Sequence, residues 1–138
     1  LGLRFASLRQ EVQLPQERIQ EPGCHAIVST EHWQRLYGEE SRAPVDFGRH
    51  VVLAVHRGLC KTGGYRVEIK DVTVASKSQV DVEVDLIDPS SESFNTLAMT
   101  YPVDLVRVSR RQLKPGTITF KFHGLGDLVN NVEDTVVV

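Results

Sequence analysis

Gly58-Leu-Cys-Lys-Thr-Gly-Gly-Tyr65 stands between two apolar segments that alternate along the chain, and its reading decides the fold. The adjacent glycines Gly63 and Gly64 permit backbone angles with φ > 0 and leave the main chain bare. Such a stretch can turn tightly and can also admit another molecule to its backbone. The first property predicts a turn inside a β-rich domain. The second makes the loop a candidate working surface, because function concentrates in loops held by a rigid scaffold.

Upstream of the turn, nearly every position of Val51-Val-Leu-Ala-Val55 is apolar, which suits a strand covered on both faces and closed by Gly58. Downstream, Tyr65, Val67 and Ile69 share one face, whereas Val72 and Val74 fall in the opposite phase. A bulge near Lys70 or Asp71 is therefore predicted, to keep all five inward. Val80, Val82, Val84 and Leu86 alternate with Asp81, Glu83 and Asp85 and form the cleanest half-buried strand. The short link Ser76-Lys-Ser78 makes this strand antiparallel to the one before it. Arg66, Glu68 and Lys70 are expected to pair across with the acidic row.

Farther out, a leading strand over Leu3–Val12 runs into a loop with Pro15, Pro22 and Gly23. A short strand, Ala26-Ile-Val28, follows. Ser29-Thr30 then offers an N-cap to a helix near residues 30–38, with Trp33, Leu36 and Tyr37 on its apolar face and Gly38 at its end. Beyond the acidic strand, Asp88–Ser93 reads as a loop and Thr96–Thr100 as a strand. Pro102 removes a ladder donor, so Leu105–Val108 is either a separate strand or the far side of a kink at a sheet edge. Pro115-Gly116 turns into Thr117–Phe122. The apolar tail Thr135-Val-Val-Val138 either adds an edge strand or continues onward, and Val136–Val138 could pair a second copy by sheet extension. These short strands with one small helix predict a mainly β fold, an antiparallel β-sandwich or open barrel.

The 138 residues fit a single domain over 1–138. A net charge of −2 and scattered cations, densest at Arg107–Arg111 with Lys114, supply no basic surface for nucleic acid. The apolar runs are far shorter than a membrane span. The chain begins at Leu1 without a charged-then-apolar leader, as expected if a leader was removed or left out.

Catalytic patterns are mostly missing: the sequence has no G-x-S-x-G, H-E-x-x-H, paired C-x-x-C or P-loop. Gly124-Leu-Gly126 lacks the third glycine of a dinucleotide site. Cys24 and Cys60 are either one disulfide or two separate thiols. His50, His56, Cys60, Cys24 and His25 invite a metal reading, but no spacing among them forces convergence. A Cys60 nucleophile with His56 as base has no evident third group to orient it. The expectation is therefore no catalytic residue, no metal and no cofactor.

The order Val45-Asp-Phe47, Val51–Val55, Gly58, Thr62-Gly-Gly-Tyr65, Val67-x-Ile69, Asp71-Val72, Val80-x-Val-x-Val84, Pro89, Thr100-Tyr-Pro102 and Leu105-Val-x-Val108 resembles the C-terminal domain of PrcB-like proteins. Those are protease-complex subunits or protease-stabilising proteins of the bacterial envelope. The resemblance implies a β core over 45–123, with residues 1–44 packed on it as strand, loop and helix. It further implies a secreted or lipid-anchored bacterial protein, extracellular or in the cell envelope, with no catalysis of its own, that assembles or stabilises a partner such as an exported protease. The residues carried over by position are Thr62, Gly63, Gly64, Tyr65, Thr100, Tyr101 and Pro102, as a partner-binding set, with Gly58 before them. This chain departs from the pattern at Lys61, where a proline is usual, and at Cys60. Each matching residue also has a local role as turn, core or strand end. The alternative is a peptidase inhibitor that presents the Gly63-Gly64 loop to a protease cleft.

Overall fold

The computed structural model describes residues 1–90 and 97–138. Among the described residues, eight strands, β1 (Phe5–Ser7), β2 (Gly23–Ile27), β3 (His50–His56), β4 (Arg66–Ser76), β5 (Gln79–Ile87), β6 (Val103–Ser109), β7 (Thr117–His123) and β8 (Glu133–Val137), accompany one α-helix, α1 (Thr30–Tyr37). They form two four-stranded sheets, ordered β1-β6-β3-β2 and β4-β5-β7-β8. The sandwich alternative therefore holds, and neither sheet closes into a barrel.

The near-continuous apolar run of β3 has the predicted cause, because its two faces serve two cores. Val51, Leu53 and Val55 meet the second sheet in a core with Val82, Phe120 and Phe122. Val52 and Ala54 face the opposite layer, where α1 and the N-terminal loop bring Leu8, Trp33, Tyr37 and Phe47. Fully burying a side chain such as Phe120 stabilises the fold by about 1.5–3 kcal/mol relative to leaving it exposed.

Helix α1 forms where its caps predict. Ser29 Oγ accepts the His32 N–H at 3.1 Å, and Gly38 ends the helix with φ of 96°. Trp33 and Tyr37, one turn apart, then land together on the sheet, with ring centroids 4.6 Å apart and the rings edge to face.

The register of β4 with β5 shifts between Ile69 and Asp71, which is the expected bulge, and shifts again between Val74 and Ser76. Val67, Ile69 and Val72 are consequently all buried. The register also overturns the expected cross-strand ion pairs. Before the bulge it already places Glu68 opposite Asp85, and the bulge leaves Lys70 unpaired in the ladder and sets Asp71 opposite Glu83. Glu68 instead bonds along its own strand, 2.9 Å from Lys70 Nζ and 3.5 Å from Arg66 Nη1. The Lys70 hydrogen bond holds the Glu68 carboxyl below its usual range.

The separate-strand alternative holds after Pro102, whereas the parallel pairing of β5 with β7 departs from the antiparallel expectation. β6 lies between β1 and β3, so the segment after Pro102 is an interior strand. Pro102 stands just before the strand begins, where it still accepts a bond from Arg57 and only the N–H it would return is missing. β5 and β7 pair in parallel, because the intervening β6 crosses to the other sheet. The C-terminal tail does add a strand, β8 on β7.

Candidate functional site

Beyond β3 the chain leaves the sheet through Arg57 and Gly58. Arg57 N–H still donates to Pro102 O at 2.8 Å, extending the β3–β6 ladder by one step. Gly58 then takes φ of +86°, and a Cβ there would meet the Pro22 ring at 2.9 Å. Glycine is needed at this corner both for its backbone angle and for the close approach. Leu59 N–H donates to Gln20 O at 3.1 Å, which pins the outgoing chain to the N-terminal loop.

Cys60 and Thr100 exchange two backbone hydrogen bonds of 2.8 Å each as an isolated antiparallel bridge. Thr100 Oγ1 donates to Thr62 O at 3.1 Å. Gly64, with φ of 92°, closes the turn into Tyr65. The Arg57 guanidinium lies over the Tyr65 ring, 4.8 Å from its centroid. It also donates through Nη1 to Arg66 O at 2.9 Å and to Ile87 O at 3.0 Å, and pairs through Nη2 with Asp88. One side chain thus ties together the end of β3, the start of β4 and the end of β5.

Thr62, Gly63, Gly64 and Tyr65 therefore stand at the same end of the sandwich as Thr100, Tyr101 and Pro102, joined by the Cys60–Thr100 bridge and the Arg57–Pro102 bond. The expected strand over Thr96–Thr100 is not formed where it is described. Leu97–Met99 is irregular and Thr100 makes only the single bridge, while the rest of that segment and the second half of the Asp88–Ser93 loop lie outside the described residues. Three apolar side chains that the sequence reading passed over stand in the two bridged segments, Leu59 and Met99 directly beside the bridged residues and Leu97 three residues before Thr100. Leu59 is 48% exposed, Met99 62% and Leu97 89%. Tyr65, under Arg57, and Tyr101, packed against the helix-side core, are half-buried. The signal was present as leucine and methionine inside polar, glycine-rich connections, where solvent exposure is the default.

The disulfide alternative is not realised, and both cysteines are free thiols. Cys24, in β2, is buried among the residues of the inter-sheet core, with Sγ 3.6 Å from Asn131 O. Cys60 Sγ, in the loop, turns toward Gly58 O at 3.9 Å. Burial pushes the Cys24 thiol up to about 12 and raises that of Cys60 as well, so neither is a ready thiolate.

His56 is not beside Cys60 as a base. It faces the helix layer, where its Nε2 shares a 2.7 Å hydrogen bond with Tyr37 Oη, and burial lowers it to about 3. Among the described residues, no group of three or more His, Cys, Asp or Glu side chains is placed to hold a metal ion. No helix among them is long and apolar enough to cross a membrane.

Two carboxylate–amide contacts, one buried and one half-buried, tie the sheets together. Asp104 of β6 accepts the Ile69 N–H of β4 at 2.7 Å, at the bulge. Its other oxygen lies 3.0 Å from Arg9 Nε but outside hydrogen-bond geometry, and burial raises its carboxyl above the usual range. On the far side, Asp134 of β8 accepts the Ala26 N–H of β2 at 2.7 Å.

Residues 51–109, from β3 through β6, match the family model described as PrcB C-terminal, so the chain is PrcB-like over that segment. The match contains the Gly58–Tyr65 turn, the Thr100-Tyr-Pro102 stretch and all three exposed apolar residues. No curated protein and no solved structure matches the chain.

Proposed function

We propose that this PrcB-like β-sandwich is a non-enzymatic protein-interaction module of the bacterial envelope, which assembles or stabilises a partner such as an exported protease. The observation that carries the reading is the exposed apolar trio Leu59, Leu97 and Met99 on the two segments that the Cys60–Thr100 bridge joins. Apolar side chains held out on a hydrogen-bonded support lose little freedom on docking, and a cluster at the centre of a contact supplies most of its binding energy. Tyr65 and Tyr101 would extend the patch with aromatic surface, and Thr62, Gly63, Gly64, Thr100 and Pro102 would set its shape. An inhibitor that fills a protease cleft runs extended, like an added strand. The tight turn at Gly64 favours docking of the loop cluster as a surface over insertion of a single segment.

The test is affinity capture of the tagged chain from the envelope fraction of its source bacterium, beside folded Leu59→Asp/Met99→Asp and Gly63→Trp/Gly64→Trp variants. Recovery of an exported protease by the parent alone supports the reading. Equal recovery by all three moves the contact elsewhere. Titration against a protease panel separates the alternatives, because an accessory subunit leaves turnover intact and an inhibitor abolishes it.

A further inference from the structure

A two-sheet sandwich has four edge strands, and an edge with unpaired N–H and C=O groups invites another strand. Three of the four are blunted here. β1 is only three residues long. β2 has its Ala26 N–H occupied by the Asp134 carboxylate. Along β4, the Ile69 N–H is taken by Asp104 and Arg66 O by Arg57, while Val72 O and the Val74 N–H are taken by Leu3 and Leu1.

β8 is different. Val138 and Gly116 exchange backbone bonds, and Phe122 N–H donates to Val132 O. In an antiparallel pair the groups facing the neighbour alternate, so residues 132, 134, 136 and 138 bond to β7 and the backbones of Thr135 and Val137 point away from it. Among the described residues, no hydrogen bond caps these outward groups, and Val137 is 69% exposed. The strand is nonetheless fixed in place. Val136 packs on the inter-sheet core, Thr135 Oγ1 bonds Thr119 Oγ1 at 2.8 Å, and Asp134 holds β2.

The sequence of the edge also says what fits it. A second β8 laid antiparallel with Thr135 on the two-fold axis sets Glu133 opposite Val137 and Asp134 opposite Val136, so no acidic residue faces another. Centring the pair on Asp134 would set two carboxylates face to face. We infer that two copies of this chain associate through β8, joining their second sheets into one eight-stranded sheet about an axis at Thr135. This contact uses neither the glycine turn nor the apolar trio, so it stands or falls apart from the proposed function.

Sedimentation equilibrium over a range of concentrations tests it, with Thr135→Pro and Val137→Lys as variants. Thr135→Pro removes an N–H that the β7–β8 ladder does not use, and Val137→Lys places a charge on the rim. The expected result is a parent mass that rises with concentration toward twice 15.5 kDa. Both variants should stay at the single-chain mass with an unchanged far-UV spectrum, and Thr135 amide exchange should be slow only in the concentrated parent. If Thr135→Pro fails to fold, Val137→Lys decides alone. A parent that stays at single-chain mass into the millimolar range overturns the inference, as does a dimer that survives the substitutions.

Discussion

The carboxylate of Asp134, on the edge strand of one sheet, accepts the backbone N–H of Ala26, on the edge strand of the other, at 2.7 Å. Ala26 is fully buried, so water has no access to that amide. Asp134→Ala should cost about 1–3 kcal/mol, the penalty for a buried donor left without a partner. Asp134→Asn, which keeps an accepting oxygen, should cost less. Urea denaturation measures both, and an alanine variant as stable as the parent would show that the bond contributes nothing.

Asp104 plays the corresponding part at the Ile69 bulge on the other side of the sandwich. Asp104→Ala is expected to fall in the same range of about 1–3 kcal/mol. The two carboxylates share no partner, so the double variant Asp104→Ala/Asp134→Ala should lose the sum of the single losses to within about 0.5 kcal/mol. A larger deviation would mean that the sheets separate as one cooperative unit once either tie is cut.

His56 makes the fold sensitive to acid. Its folded value, lowered to about 3 by burial and secondarily by His25, lies below the ordinary imidazole value of 6.5. Between those values the unfolded chain binds a proton that the folded chain does not, so stability rises with pH across that window. The contribution is at most about 1.4 kcal/mol per pH unit. Comparing denaturation of the parent and His56→Gln from pH 4 to 7 isolates it. Parallel curves for the two proteins would refute the assignment.

Gly124 has φ of +98°, and a Cβ added there would fall on the Val84 carbonyl oxygen, a backbone atom that cannot step aside. Gly124→Ala combines a left-handed strain with a clash and should cost more than about 3 kcal/mol. Gly116→Ala is the control, since its φ of +124° is also positive but nothing lies within 4 Å. Equal melting temperatures for the two variants would disprove the steric argument.

Arg57→Ala removes the bonds to Arg66 O and Ile87 O, the Asp88 ion pair and the guanidinium over Tyr65. Hydrogen exchange should then speed up at the amides of Cys60 and Thr100, which bridge the loop to its neighbour. Exchange that is unchanged there while global stability falls would mean that Arg57 supports the sheet and not the loop.

What the sequence disclosed was what its periods encode. The parity change between Ile69 and Val72 revealed the bulge, Ser29 and Gly38 bracketed the helix, and the unbroken run Val51–Val55 announced a strand with two covered faces. Strand neighbours were beyond its reach, because period two gives no sign of which distant segment lies alongside. The interior place of β6 and the parallel β5–β7 pair rest on contacts remote along the chain. At the loop, glycines and tyrosines were visible as types, whereas Arg57 looked like any cation at a strand end. Asp104 and Asp134 looked like surface acids, since only folding brings an amide to each.

The opening residues of the chain cross the seam between the sheets. Gly2 bridges Thr73, Phe5–Ser7 pair with Val106–Val108, and the Arg4 backbone is bonded by the Gln112 side chain 108 residues away. This part of the chain is made before its neighbours in β6 and the turn after it, and it can take its seat only once they exist. Until residue 112 has emerged, Leu1 and Leu3 can bond the edge of β4 but Phe5–Ser7 lack their β6 partners. Contacts of such wide separation slow folding, and a nascent chain stalled short of them presents raw strand edges to its surroundings. A truncation at the start of this segment would therefore leave a protein that completes every other pairing yet remains ajar.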